Sequence, residues 1–173
     1  VVFGRMRKLY VAGEQRFYPF TDGLIYWNES MPVIDTGLIS SYTLEYLEEA
    51  GMLCGWVMTE QTTITIPEGQ PNYNSSMCSF PQISIDAEDN IFVAYMMLAP
   101  DYTNAEFMYR HVALNSSYDL GNSWVGLFDL NADIQYIFSE CAYPAMPPVI
   151  DDEVFVLFQE DTYPGINQWL TNH

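Results

Sequence analysis

Cys78-Ser-Phe-Pro81 recurs as Cys141-Ala-Tyr-Pro144, 63 positions later, and this repeat constrains the fold more than any other feature of the chain. The match continues without a gap, with Asp89-Asn-Ile-Phe-Val-Ala-Tyr95 falling on Asp152-Glu-Val-Phe-Val-Leu-Phe158. Each copy reads as a leading segment, an acidic turn and a nearly continuous apolar strand. A strand that is apolar on both faces must be covered on both faces, as the inner strands of stacked sheets are.

Two further strands fit between the copies. Residues 107–114 alternate, with Phe107, Tyr109, His111 and Ala113 on one side, and 124–130 follow a turn rich in Asn, Ser, Asp and Gly. The unit is therefore four strands, at about 78–85, 91–98, 107–114 and 124–130. A fainter predecessor begins with Phe17, 63 positions before Phe80, and takes 24–27 as its second strand. Its outer hairpin is expected over 42–47 and 52–58, because Tyr42, Leu44 and Tyr46 alternate; a helix over 41–50 ended by Gly51 is the competing reading. Four antiparallel strands repeating at this period predict an all-β chain built of β-propeller blades. The expected layout is one partial propeller domain over 1–173: blade 1 at about 15–60, blade 2 at about 78–130 and a truncated blade 3 from about 141. Three blades do not close a ring, so the propeller is expected to be incomplete. A large β-sandwich is the rival fold, and it leaves the repeat unexplained.

Ser117-Tyr-Asp-Leu-Gly-Asn-Ser-Trp124 fits Ser-x-Asp-x-Gly-x-x-Trp at every defined position, in the turn between the third and fourth strands. It resembles the Asp-box, or BNR repeat, of sialidase-like propellers. The chemistry is local: Asp119 can accept hydrogen bonds from turn amides, Gly121 permits a positive φ, and Trp124 can plug the hairpin into the core. The resemblance covers about 78–130 and the first half of the next unit. It implies a structural role for Ser117, Asp119, Gly121 and Trp124, away from any substrate face. Sialidases hold the substrate carboxylate with three arginines, one within a Phe/Tyr-Arg-Ile-Pro motif that is missing here. After Arg16 the only arginine is Arg110, so an arginine triad cannot be assembled from this segment.

Charge narrows the partners. Arg5, Arg7, Lys8 and Arg16 lie in the first sixteen positions, whereas 17–173 carry 22 acids against Arg110 alone, a formal −21. Such a surface repels phosphate backbones and anionic headgroups, leaving cations, neutral glycans or a basic protein face. No apolar run reaches the roughly 18 residues of a membrane helix, and 16% aromatic content argues against disorder. No signal peptide is visible at Val1, which means little because processing would also remove one.

The remaining constellations point mostly to architecture. Asp86, Glu88 and Asp89, with Asp151, Asp152 and Glu153, are weak calcium candidates, since each group occupies an equivalent turn where Asp is favoured for geometry. Cys54, Cys78 and Cys141 lack zinc spacing and read as buried apolar residues. Sequons at Asn28, Asn74 and Asn115 suit exposed loops. His111 reads as a packed strand residue, and no Ser-His-Asp arrangement can be argued around His173. Tyr73, Tyr102, Tyr118, Tyr143, Tyr163 and Trp169 lie in or near predicted turns and are candidates for stacking on sugar rings or anchoring a protein. The expected function is a secreted or cell-surface scaffold without catalytic residues or a cofactor, whose partner is another extracellular protein ahead of a glycan. The alternative is a sialidase-like or related glycoside hydrolase whose catalytic residues lie mostly outside this segment.

Overall fold

A computed structural model describes residues 1–35 and 37–165. Among these the chain is all-β, with one six-residue helix and several open antiparallel sheets. The strands are β1 (Val2–Gly4), β2 (Arg7–Val11), β3 (Glu14–Tyr18), β4 (Leu24–Tyr26), β5 (Leu53–Gly55), β6 (Cys78–Ile85), β7 (Ile91–Thr103), β8 (Met108–Ser117), β9 (Val125–Asp129), β10 (Glu140–Ala145) and β11 (Leu157–Asp161); helix α1 (Leu44–Glu49) lies between β4 and β5.

The central sheet is the meander β6-β7-β8-β9. Strand β7 shows why its sequence is apolar throughout. Val93, Tyr95 and Met97 point into a cluster with Leu24, Cys54 and Cys78, beneath the sheet β1-β4-β5. Ala94 and Met96 point the other way, packing with Cys141 and Ala142 of β10. The period of two thus divides one strand between two buried interfaces. On the first of these, Gly55 lies against the Tyr95 ring, where a Cβ would come within 2.6 Å. The Tyr95 hydroxyl accepts from Trp56 N at 3.0 Å and donates to Trp56 O at 2.9 Å.

The 63-residue repeat extends into the backbone register. Cys78 pairs with Met97, Ser79 with Met96 and Gln82 with Ala94; Cys141 pairs with Glu160, Ala142 with Gln159 and Ala145 with Leu157. Both ladders break at the same step, and the residues within the breaks, Phe80 (φ 51°) and Tyr143 (φ 54°), share a left-handed conformation. At the far end of β6, Ile85 forms a parallel bridge to Val149.

The first third departs from the sequence reading. Phe17 opens no sheet; it lies on β3, in the exposed hairpin β2-β3, and β1 is the edge strand of sheet β1-β4-β5. The expected outer hairpin over 42–47 and 52–58 is also corrected. The helix wins there, with Thr43 Oγ1 accepting from Tyr46 N at 3.2 Å and Gly51 at φ 67° just after the helix. Leu47 fills the cluster of Ile25 and Met52, and only 53–55 continue as strand. Arg5 is buried here, donating to Asp22 O, Ile39 O and Tyr42 O, so it clamps the loops around α1 and offers no charge to solvent.

Candidate functional site

The turn after β8 closes on itself. Ser117 Oγ donates to Asp119 Oδ1 at 2.8 Å and accepts from Gly121 N at 2.8 Å. Asp119 also accepts from Ser123 N at 2.8 Å and from Ser123 Oγ at 2.6 Å. Hydrogen bonds from Ser123 and Ser117 hold the Asp119 carboxyl below the usual carboxylate range. Gly121, at φ 85°, abuts the Tyr26 ring, and Trp124 meets the same ring edge-on at 5.4 Å. Both carboxylate oxygens of Asp119 are engaged within the turn, which ties the two ends of the β8-β9 connection together.

A second cluster gathers at the opposite end of the central sheet. Glu140, which begins β10 and is buried, takes three hydrogen bonds: Tyr73 Oη at 2.6 Å and Gly165 N at 3.1 Å to Oε1, and Arg110 N at 2.6 Å to Oε2. The Arg110 guanidinium, also buried, sits 5.2 Å from the centre of the Tyr73 ring and donates to Met77 O at 3.3 Å. Its Nε and Nη2 have no partner among the described residues. Burial raises the Glu140 pKa, with the three donors and the Arg110 charge opposing the rise. Burial and the adjacent Glu140 push the Tyr73 hydroxyl well above its ordinary value.

Above this cluster lies a cavity of about 150 Å³ lined by Tyr73, Glu140, Ala142, Tyr143, Gln159, Asp161 and Gly165. The repeated bulges deliver the aromatics beside it. Phe80 and Tyr143 pack edge-on at 5.2 Å, and Tyr73 closes the trio at 6.5 Å from Phe80 and 5.6 Å from Tyr143. Phe80 and Tyr143 remain partly exposed, whereas Tyr73 is buried, which corrects its reading as a loop-surface aromatic.

The other candidates scatter. Tyr102 stacks on His111 at 5.0 Å; His111 is buried, with Nδ1 2.6 Å from Asp129 Oδ2 and Nε2 3.3 Å from Ile137 O. Tyr118 packs edge-on to Phe92 and, like Tyr163, is exposed. Trp169 and His173 lie outside the described residues. Asp86 accepts from Glu88 N, Asn90 N and Asn90 Nδ2, closing its own turn. Among the described residues no three His, Cys, Asp or Glu side chains are placed together to hold a metal ion, those of the turns at Glu88, Asp89, Asp151 and Asp152 included. Asn115 is buried, donating to Cys54 O at 3.0 Å, which removes it from the exposed sequons. Cys54, Cys78 and Cys141 are free and buried.

Glu140 is the residue that sequence reasoning missed. The signal was present: it stands 63 positions after Met77, a charge where the other copy has an apolar side chain. No helix among the described residues is long and apolar enough to cross a membrane. No protein-family model, curated protein or solved structure matches the chain.

Proposed function

We propose that the chain is part of a propeller-type interaction scaffold that works outside the cell and takes a basic side chain of a protein partner into the cavity beside Tyr143. The propeller reading is supported by the four-stranded meander, its neighbours packed on both faces, the register repeated at 63 residues and the parallel bridge at the end of β6. The Ser117–Trp124 turn supports an Asp-box assignment through its geometry. The observation that carries the binding claim is chemical. Asp161 and the partly exposed Tyr143 line one small cavity, which Glu140 and Tyr73, both buried and engaged with Arg110, also line. The Asp161 carboxylate with the Tyr143 ring attracts a lysine or arginine head group through ion pairing and the ring face. A glycan is the second class of ligand for the same aromatic surface.

The alternative of a glycoside hydrolase draws on Glu140, whose raised pKa is the property of a general acid, facing the same cavity as Asp161. Against it, the Glu140 carboxylate is already held by three donors of its own chain. Calorimetric titration with lysine- and arginine-containing peptides, against xyloglucan and sialoside oligosaccharides, tests the proposal. Peptide binding weakened about tenfold or more in Tyr143→Ala is expected. Turnover of a fluorogenic sialoside or xyloglucan substrate, or no peptide binding, would overturn it.

A further inference from the structure

The hairpin β2-β3 is the least supported part of the molecule. Nine of the ten strand residues are exposed, and its ladder, Arg7↔Tyr18 to Val11↔Glu14, is closed by Ala12 and Gly13, both at positive φ. Arg7 lies 5.7 Å from the Tyr18 ring centre and Lys8 5.1 Å from that of Phe17, while Tyr10 is 77% exposed. The ribbon thus presents Arg7, Lys8 and Arg16, with aromatics between them, against the single acid Glu14. A free two-stranded ribbon is marginal in water, and this one projects from a chain whose remaining residues are strongly acidic.

Its complement lies at the other end of the same molecule. The acidic turn after β6 and the segment after β10 are brought together by the hydrogen bonds Ile85 N to Pro148 O at 3.2 Å and Ile150 N to Ile85 O at 3.1 Å. There Asp151, Asp152 and Glu153 line a groove of about 430 Å³ with Val149 and Phe155, which are 71% and 62% exposed. The hairpin is rooted by Gly4, against the backbone of Cys78, and by Thr21, whose carbonyl accepts from Met77 N at 3.0 Å. Both roots therefore sit at the start of β6 and the groove beyond its end, about 25 Å away along an eight-residue strand. An arm of five-residue strands, about 17 Å long and leaving from the opposite end, is poorly placed to occupy its own groove.

We infer that the β2-β3 hairpin of one copy docks into the acidic groove lined by Val149, Asp151, Asp152, Glu153 and Phe155 of a second copy. The register places Lys8, Tyr10 and Phe17 on one face of the ribbon and Arg7 and Arg16 on the other. Lys8 therefore meets the carboxylates while Tyr10 and Phe17 meet Val149 and Phe155, and Arg7 and Arg16 add their charge across the thin ribbon. The contact is head-to-tail, so it propagates or closes a ring. This surface is separate from the Tyr143 cavity, and its failure would leave the proposed function standing.

Sedimentation velocity of the full chain over a range of concentrations tests the inference. Association at low ionic strength that weakens in high salt is expected. Arg7→Glu/Lys8→Glu/Arg16→Glu and Asp151→Lys/Asp152→Lys/Glu153→Lys should each weaken it about tenfold or more, and mixing the two variants should restore it, since each then supplies the surface the other needs. Because all six side chains are exposed, near-UV circular dichroism of both variants should match the parent. Should either misfold, the salt dependence of the parent decides. A parent that stays monomeric at low salt, association untouched by reversing the arm, or a monomer that instead binds phosphatidylserine vesicles through Arg7, Lys8 and Arg16 would each overturn the inference.

Discussion

Replacing Glu140 separates the hydrogen-bonding role of its carboxylate from its charge. In Glu140→Ala the donors Tyr73 Oη, Arg110 N and Gly165 N all lose their acceptor in a buried place. At about 1 kcal/mol each the hydrogen bonds account for roughly 3 kcal/mol, and the buried Arg110 guanidinium loses its nearest counter-charge, so the expected cost is about 3–5 kcal/mol. Glu140→Gln is different. It removes the counter-charge as alanine does, but its carbonyl can still accept from Arg110 N and its amide can donate to the Tyr73 oxygen, leaving the Gly165 amide and the Tyr73 proton without an acceptor, for about 2–3 kcal/mol. Urea unfolding should show the alanine midpoint lowered by about 1.5 M or more and the glutamine midpoint by about half to two-thirds of that. The pH dependence follows from the same residue. Its folded pKa lies above the unfolded one, so its favourable contribution is complete below the ordinary carboxylate range and is lost as pH rises through the raised value. Glu140→Gln should remove that part of the slope. Equal costs for Ala and Gln would refute the reasoning, because charge rather than hydrogen bonding would then be holding the cluster.

Gly121→Ala should lower the thermal midpoint markedly, by an amount equivalent to about 2–4 kcal/mol, since a Cβ at φ 85° would lie 2.3 Å from the Tyr26 ring; a change within error would mean the turn relaxes freely. The Asp119 pKa is depressed, so its contribution is present above the ordinary carboxylate range and lost as pH falls through the lowered value. Asp119→Asn should flatten the acid limb of the stability profile measured by unfolding at successive pH values. The thiols of Cys54, Cys78 and Cys141 are buried and their pKa values raised, that of Cys141 to about 12. A chromogenic disulfide reagent should therefore find no fast thiol in the folded chain and all three in denaturant.

The central sheet was legible because its signal is redundant. The apolar run of β7 demanded cover on two sides, and the chain supplies it from β5 on one side and β10 on the other. Tyr42, Leu44 and Tyr46 carried no such redundancy. Tyr42 stands just before the cap in extended conformation, and its ring meets that of Tyr46 in the first turn of α1 at 4.5 Å. The deciding feature was the cap at Thr43 together with Leu47, whose burial depends on Ile25 and Met52 being present beneath it. Local alternation over five residues cannot settle a choice that tertiary cover makes.

Glu140 illustrates the converse case, in which the repeat itself marks the site. Two copies related by 63 residues fold to one register and one left-handed bulge, so any departure between them has to be accommodated by something outside the shared backbone. Where the first copy places Met77, the second buries a carboxylate, and three donors from distant parts of the chain are drawn in to satisfy it. Two of those donors belong to Tyr73 and Arg110, whose ring and guanidinium also pack together. The positions at which a repeat breaks its own pattern are therefore where chemistry peculiar to one unit can enter an otherwise structural array, and here the break opens onto the Tyr143 cavity.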